Sequence, residues 1–259
     1  MSLSTDKINS QRILSGINQS VDMDIFDELS STNDWLLALN EFDIPHVCIT
    51  KHQLKGRGRR GREWLSKPGQ CLCLSLRLKV HCRLEQLKGF SLVVALALRD
   101  VLQPVLESDI TLKWPNDILV EGKKLCGILI ETTSVRSHAV DTVIGIGINI
   151  LPVDNPDFEA ISLTEITNAC DLPDINELIS DICNKVLTDA EIFEQSYFSA
   201  FHGQWLDQDN WIGKEVNIYQ GENVHSGIYQ SVDCQGQLII KQGIETKTFL
   251  AGEVSLRAQ

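Results

Sequence analysis

The sequence lacks any long hydrophobic run. Its longest apolar stretch, residues 92–98, is closed by Arg99 and Asp100, far short of the roughly 18 residues that a membrane-spanning helix needs. The N-terminal residues are polar and contain no hydrophobic segment of a signal peptide. These absences predict a cytoplasmic protein with no membrane partner.

Paired cysteines are also missing. The chain has eight cysteines in 259 residues, and no two of them are spaced Cys-x-x-Cys, the spacing typical of redox pairs and zinc sites. Cys71 and Cys73 alternate along an apolar strand pattern, which is typical of buried, reduced thiols. The sequence therefore favours free thiols over a fixed metal site.

An excess of positive charge is missing as well. The formal net charge is -12, whereas a general nucleic-acid binder normally carries a basic surface. The sequence contains neither the Gly-Lys-Ser/Thr ending of a phosphate-binding P-loop nor a Gly-x-Ser-x-Gly nucleophile elbow. If ATP binds, its phosphates are therefore held by a structure other than a P-loop. The sequence also indicates no enzyme nucleophile.

Against this acidic background, residues 56–62 read Gly-Arg-Gly-Arg-Arg-Gly-Arg. The glycines let main-chain N–H groups approach a ligand, and the arginines offer planar cationic forks to phosphate or carboxylate. Because such a cluster repels itself without an anion, it predicts an anion-binding loop that closes over a polyphosphate or an acyl phosphate. Disordered nucleic-acid tails share this composition, but this run occurs once, is internal and lies between apolar stretches.

Two further segments combine polar groups with regular structure. Residues 30–34 (Ser-Ser-Thr-Asn-Asp) precede an apolar run, so their side chains either cap a helix or hold a polar ligand at its start. In the strand expected over residues 140–150, Gly145, Gly147 and Asn149 share one face. That face is flat, and either a ligand ring or a packed helix could lie on it.

Hydrophobic periodicity predicts the overall organisation. Alternation indicates strands over much of residues 24–150, and helical periodicity covers residues 87–106 and 175–193, the latter continuing to residue 201. From Trp211 onward, short alternating runs separated by glycine-containing turns predict a small antiparallel β-barrel. We place a domain boundary there, with a catalytic domain over residues 1–210 and a C-terminal module over residues 211–259.

The motifs together resemble the biotin–protein ligase family. The arginine loop is followed by Trp64, then Lys-Trp-Pro-Asn-Asp at residues 113–117, Lys-Leu-x-Gly-Ile-Leu-x-Glu at 124–131 and Gly-x-Gly-Ile-Asn at 145–149. The resemblance covers residues 20–259. It implies an α+β fold: a mixed or antiparallel sheet flanked by helices, as in class II synthetases, followed by an SH3-like barrel.

The resemblance also implies a two-step reaction. Biotin and Mg-ATP give biotinyl-5'-adenylate and pyrophosphate, and a lysine of a biotin carboxyl carrier domain then attacks the adenylate. The implied catalytic residues are Lys113, Arg59 and Asp117, and Asn116 or Asp117 is expected to place Mg²⁺ or to accept a proton from the incoming lysine. The implied biotin-binding residues are Ser31, Thr32, Asn33, Gln53, Gly56, Arg57, Gly58, Arg59, Lys113, Gly127 and Gly147. The implied ATP or adenylate residues are Arg60, Arg62, Trp64, Asn116, Lys124 and Asn149.

Alternatives remain open from the sequence. The same scaffold serves lipoate and octanoate ligases, although those lack the full combination of motifs, and a DNA-binding, biotin-responsive regulator is a second possibility. Only about 30 residues precede Ser31, whereas a winged helix needs about 60, so we expect a ligase without repressor function. No fixed protein metal site and no nucleic-acid partner are expected, and a homodimer is possible.

Overall fold

The computed structural model describes residues 5–40, 42–136, 138–155, 158–167, 173–251 and 255–258. Seven strands form one mixed sheet in the order β1-β2-β3-β7-β6-β5-β4. The pair β1–β2 is parallel, and the other neighbours are antiparallel, as predicted. The strands are β1 (Asp22–Phe26), β2 (His46–Thr50), β3 (Cys71–Val80), β4 (Ile110–Lys113), β5 (Asp117–Val120), β6 (Lys123–Arg136) and β7 (Ala139–Asn149).

The helices cover the two faces of this sheet unequally. They are α1 (Ser10–Gly16), α2 (Thr32–Ala38), α3 (Phe90–Leu102), α4 (Leu163–Ile166), α5 (Ile175–Ser196) and α6 (His202–Gln208). Helices α3 and α5 pack with Ile144, Ile146 and Ile148 of β7 in the main core. The short helix α2 packs on the opposite face, where Leu36 contacts Cys48 and Val143. No helix in the described part of the chain is both long and apolar enough to cross a membrane.

A buried arginine fixes α2 at its C-terminal end. The Arg77 side chain is 2% exposed, and it donates to the carbonyl oxygens of Leu36 and Leu39, both at 2.7 Å. The Leu36 carbonyl also accepts from the Leu39 N–H at 3.3 Å, so Arg77 adds a charged donor at a helix end, where carbonyl oxygens lack a full set of partners within the helix. With its C-terminus held from β3, α2 presents its N-terminus to the glycine face of β7.

The prediction of one continuous helix from residue 175 to 201 is wrong. Helix α5 ends at Ser196, and Tyr197 has φ 52° and ψ −156°, outside the helical region. The break turns Phe198 onto Gly89, whose missing Cβ would lie 2.8 Å from the Phe198 Cβ. Burial of this ring overrides helical periodicity at that point.

The C-terminal residues form the predicted antiparallel module. Its five strands have the order β11-β10-β9-β8-β12. The described residues give an open sheet with β11 and β12 at its edges, so closure into a barrel stays a prediction. The strands are β8 (Glu215–Gln220), β9 (Asn223–Val232), β10 (Leu238–Gln242), β11 (Glu245–Phe249) and β12 (Ser255–Ala258).

Buried polar contacts join this module to the preceding helices. The Asp209 carboxylate accepts from the Trp205 indole at 3.1 Å, from the Trp211 N–H at 3.1 Å and from the Tyr229 hydroxyl. Burial raises the pKa of Asp209, and these donors partly offset that rise. The Trp114 indole also donates to the carbonyl oxygen of Gly236 at 3.1 Å. The C-terminal sheet is thereby held close to the turn between β4 and β5.

Candidate active site

A cleft of about 390 Å³ lies over the glycine face of the seven-stranded sheet. That volume suits a small organic ligand. It collects most of the residues singled out from the sequence, although they are far apart in the chain, from Ser31 to Gly147. The predicted residues that line it are Ser31, Thr32, Asn33, Gln53, Arg57, Gly58, Arg59, Arg60, Arg62, Trp64, Lys113, Asn116, Asp117, Lys124, Gly127 and Gly147.

One end of the cleft is rich in polar side chains that hydrogen-bond to one another. Ser31 caps α2 by accepting from the Asp34 N–H at 3.3 Å. The Thr32 N–H donates to Gln53 Oε1 at 2.8 Å, and the Thr32 hydroxyl lies 2.7 Å from the Ser75 hydroxyl. Capping and ligand binding were open alternatives for this segment, and the geometry accommodates both, because Ser31 caps the helix while its neighbours face the cleft.

Asn33 extends this polar end toward β6. Its Oδ1 accepts from the Ser75 hydroxyl at 2.6 Å, and its Nδ2 donates to Glu131 Oε2 at 2.8 Å. Since both the oxygen and the nitrogen of the amide are engaged, the orientation of the Asn33 side chain is fixed by its partners. Gly145 makes this position possible, because a Cβ there would lie 2.4 Å from Asn33 Oδ1.

The second glycine of the β7 face meets a ring from the protein itself. A Cβ at Gly147 would lie 2.5 Å from two atoms of the Trp64 indole, and one at Gly127 would lie 3.0 Å from the same ring. The structure therefore supports packing at both glycines, of α2 on Gly145 and of Trp64 on Gly147, and a ligand ring on this face stays a prediction. Trp64 lies between the arginine loop and the floor of the cleft.

The arginine loop folds back on itself as a tight hairpin. The Gly58 N–H donates to the carbonyl oxygen of Arg62 at 2.7 Å, and the Trp64 N–H donates to that of Gly56 at 2.9 Å. At its tip, Arg60 (φ 58°) and Gly61 (φ 74°) adopt left-handed conformations. The Arg60 guanidinium donates to the carbonyl oxygen of Tyr219 at 3.0 Å, which ties the tip to the C-terminal sheet.

Arg59 is a largely enclosed arginine of the loop. It donates to Asn116 Oδ1 at 3.0 Å and to the carbonyl oxygen of Ala251. Burial lowers its pKa to about 10, and the positive charges of Arg60 and Arg62 act in the same direction, while Asp117 opposes them. Arg59 is still a cation at neutral pH, and a bound anion would relieve the cost of burying its charge.

Lys113 and Lys124 face the cleft from separate strands of the sheet. The Lys113 ammonium lies 5.4 Å from the centre of the Trp211 ring, and Lys124 lies 5.0 Å from that of Phe158, both within cation–π range. Lys124 also forms an ion pair of 2.6 Å with Asp117. Both lysines thus line one cleft.

Two predicted residues lie beneath the lining of the cleft. Gly56 is buried at the base of the loop, where a Cβ would lie 2.5 Å from the Trp64 carbonyl oxygen. Asn149 is also buried, and its amide donates to the carbonyl oxygens of Lys124 and Ile161, both at 3.1 Å. Asn149 thus supports the strand that carries Lys124, and its role toward a nucleotide stays a prediction.

The structure adds four residues that motif reading did not assign to the site. Ser75 and Glu131 hold Asn33, and Trp211 and Phe158 lie beside the two lysines. Glu131 ends a motif that the sequence did single out. The other three carry no local sequence signal, because only the sheet register and the position of the C-terminal module bring them to the cleft.

The arrangement fits a ligand that is polar at one end and anionic at the other. The polar end offers amide and hydroxyl groups in fixed orientations, which suits a neutral head group. Six cationic side chains line the cleft against three carboxylates, Glu63, Asp117 and Glu159, and five cations remain in excess of these three when Arg57, which pairs with Asp34 and Glu131, is set aside. This local excess of positive charge, in a chain with a net charge of -12, can bring two anionic groups together and stabilise charge that develops between them.

Comparison with known proteins places this site in a family. Residues 25–149 match the model of the biotin/lipoate A/B protein ligase family, and residues 211–257 match that of the biotin protein ligase C-terminal domain. The bifunctional ligase/repressor BirA of Salmonella typhimurium is 34% identical over 263 residues, covering 99% of this chain and 79% of that protein. The biotin–[acetyl-CoA-carboxylase] ligase of Mycobacterium tuberculosis is 31% identical, covering 90% of this chain and 88% of that protein.

Solved structures agree with the sequence relatives. The biotin protein ligase from Aquifex aeolicus in complex with biotin and ATP superposes with a TM-score of 0.77 and 28% identity, covering 92% of this chain and 99% of that one. A mutant of the same ligase, in complex with biotin, gives a TM-score of 0.76 and 26% identity, with the same coverage of both chains.

Proposed function

The chain belongs to the biotin–protein ligase family, and from that premise we propose how its cleft carries out the family's reaction. The chain activates biotin with ATP and transfers it to a lysine of a biotin carboxyl carrier domain. The observation that carries this assignment is the single cleft that joins a fixed polar end to a cationic end. The activity that the names of both relatives share is the ligase activity, and neither the lipoate nor the regulator alternative is favoured.

The polar end suits the ureido head of biotin. That head presents two N–H donors and one carbonyl acceptor, which need partners when they are buried. Ser31, Thr32, Asn33 and Gln53 line this end and offer donors and acceptors of the required kinds. The apolar side chains of Leu74 and Ile146, which line the same cleft, suit the valeryl chain.

The cationic end suits the first chemical step. The biotin carboxylate attacks the α-phosphorus of ATP, an oxygen–phosphorus bond forms and pyrophosphate leaves. Lys113 and Arg59 would offset the repulsion between the two anions and stabilise the pentacoordinate phosphorus. Arg60, Arg62 and Lys124 would neutralise the remaining phosphate oxygens, and Gly58 with Gly127 would leave room for the ligand.

In the second step, the acceptor amine attacks the adenylate carbonyl, a carbon–nitrogen bond forms, and AMP leaves. The amine must lose a proton, and the Asp117 carboxylate, which faces the cleft beside Lys124, would accept it. Trp64 and the hairpin loop cover the cleft floor and would keep water from the adenylate until the acceptor arrives.

We propose that Mg²⁺ enters with ATP. Among the described residues, no group of three metal-ligating His, Cys, Asp or Glu side chains lies together. Asn116, at the end of the turn, and Asp117, at the start of β5, nevertheless carry an amide and a carboxylate oxygen that pair with Arg59 and Lys124 in this structure. This donor set would fit a Mg²⁺ held mainly by phosphate oxygens. The ion would supply charge neutralisation to the pyrophosphate leaving group.

We also propose a cellular location, a protein partner, a domain boundary and an oligomeric state. A reaction that consumes ATP is expected in the cytoplasm, and the partner is the carrier domain of a biotin-dependent carboxylase. We propose a boundary near Trp211 between a catalytic and a C-terminal domain, because a separate antiparallel sheet begins there. A homodimer is compatible with this fold, and sedimentation with and without biotin and ATP would test it.

The test of the assignment is exchange of labelled pyrophosphate into ATP. We expect exchange that depends on biotin, followed by transfer of biotin to a carrier domain. Exchange that depends on lipoate or octanoate instead of biotin would show that the chain is a lipoate or octanoate ligase. Absence of exchange with all three acids would overturn the assignment.

A further inference from the structure

A continuous set of hydrogen bonds connects the polar end of the cleft to the arginine loop. It begins at Gln53, passes through Thr32 and the Ser75 hydroxyl, and reaches the amide of Asn33 at distances of 2.8, 2.7 and 2.6 Å. From Asn33 it crosses to Glu131 at 2.8 Å. Three separate elements, α2, β3 and β6, thus contribute to one set of contacts.

Glu131 connects these hydrogen bonds to the arginine loop. Its carboxylate accepts both from Asn33 and from the Arg57 guanidinium, which donates through Nη1 at 2.8 Å and through Nη2 at 2.7 Å. This is the bidentate geometry in which arginine and carboxylate pair most strongly. Arg57 also donates to Asp34 Oδ1 at 2.6 Å.

The Arg57 guanidinium therefore pairs with carboxylates of the protein itself. Burial alone would lower its pKa, but the Glu131 and Asp34 carboxylates outweigh burial and raise it. Arg57 lines the cleft, yet its charge is compensated by two acidic side chains on α2 and β6. It fastens the first residues of the loop to the body of the protein.

We propose that Glu131 is a positioning residue that couples order at the polar end of the cleft to closure of the arginine loop. One carboxylate holds Asn33 and Arg57 at the same time, so a ligand that further stabilises Asn33 in its present orientation also favours the closed loop. The coupling rests on the proposed function for the identity of the ligand, biotin. The contacts themselves exist without it.

The coupling has a direct consequence in the ligand-free protein. Hydrogen exchange should be measured by mass spectrometry for residues 54–64 of the loop and 31–38 of α2 in wild type and in Glu131→Gln. We expect exchange to accelerate in both segments together, with the main core over residues 90–102 unchanged. Acceleration in one segment alone, or in neither, would overturn the coupling.

Asp34→Asn is the matched control, because the Asp34 carboxylate pairs with Arg57, as Glu131 does, while the Asn33 amide is held by Ser75 and Glu131. We expect it to accelerate exchange in the loop while leaving the first turn of α2 close to wild type. If Asp34→Asn disturbs both segments as strongly as Glu131→Gln, the contacts of Glu131 are not the link, and the proposal fails.

Biotin supplies the second readout. In wild type, biotin should slow exchange of the loop, and in Glu131→Gln this protection should be lost even at saturating biotin. The KM for biotin in pyrophosphate exchange should rise about tenfold, and kcat at saturation should fall by less than that. Full protection of the loop by biotin in Glu131→Gln would overturn the coupling. If wild type fails to bind biotin, the proposed function is wrong, and the exchange rates of the ligand-free proteins then test the coupling by themselves.

Discussion

The two ends of the cleft are built on opposite principles. At the polar end, Thr32, Asn33, Ser75 and Glu131 satisfy one another's hydrogen bonds, so the end is ordered before any ligand binds. At the cationic end, positive side chains outnumber the carboxylates around them, and burial already depresses the pKa of Arg59 to about 10. One end is preorganised for a neutral group, and the other gains stability when anions arrive.

This difference suggests a division of labour. Groups held in fixed orientation discriminate between ligands by shape and hydrogen bonding. Cations in local excess contribute most where negative charge develops in the transition state. We therefore expect changes at the polar end to affect chiefly biotin affinity and changes at the cationic end to affect chiefly the chemical step.

Lys113→Ala should have the largest effect. We expect biotin-dependent pyrophosphate exchange to fall by about a hundredfold to a thousandfold, because a charge beside the reacting phosphate is lost. Lys214→Ala is the control, since Lys214 also lies over the Trp211 ring, at 5.3 Å, but falls outside the described lining of the cleft. Equal losses in both variants would contradict a specific role for Lys113.

Gly145→Ala should break the polar end. The added methyl group would lie 2.4 Å from Asn33 Oδ1, so the side chain must move and its contacts to Ser75 and Glu131 must change. Overpacking of this kind should weaken biotin binding by roughly tenfold to a hundredfold in calorimetry. Gly203→Ala is a control, because a Cβ there has no described atom within 4 Å apart from its chain neighbours and the backbone of its own helix. Retained biotin affinity in Gly145→Ala would refute the fixed geometry of Asn33.

Ser75→Ala removes one hydroxyl from the polar end and leaves its shape unchanged. A lost hydrogen bond is worth about 1 kcal/mol, so the KM for biotin should rise by about fivefold. The kcat of exchange at saturating biotin should stay close to wild type. A fall in kcat with unchanged KM would show that Ser75 belongs to the chemical step.

Asn149→Ala should have the smallest effect on activity. Its amide supports two main-chain carbonyls beneath the cleft, so its loss should lower the free energy of unfolding by about 1–3 kcal/mol. Urea denaturation measures this change, and the KM for ATP should vary by less than about threefold. A large rise in the KM for ATP with an unchanged free energy of unfolding would instead support the prediction that Asn149 contacts the nucleotide.

The sequence predicted the sheet and the cationic end well, for a physical reason. Alternation in β3 and β7 is regular, and the charges of residues 56–62, Lys113 and Lys124 occur in compact motifs. Clustered positive charges stand out in a chain whose net charge is -12. The strand pairing then brought them to one cleft.

The rest of the site depends on contacts that no local pattern contains. Ser75 is one polar residue in an apolar strand, and it reaches Asn33 only because α2 lies on Gly145. Trp211 comes to Lys113 from the C-terminal module through the Asp209 contacts. The end of α5 at Ser196 is likewise set by burial of Phe198 against Gly89, a tertiary contact that helical periodicity does not report.

The most direct test of the division of labour is biotin binding by Lys113→Ala, measured by calorimetry in parallel with pyrophosphate exchange. The polar end is intact in this variant, so we predict a biotin dissociation constant within about tenfold of wild type, together with exchange reduced at least about a hundredfold. Loss of biotin binding in the same proportion as exchange would show that the cationic end, and not the polar end, carries recognition of the acid.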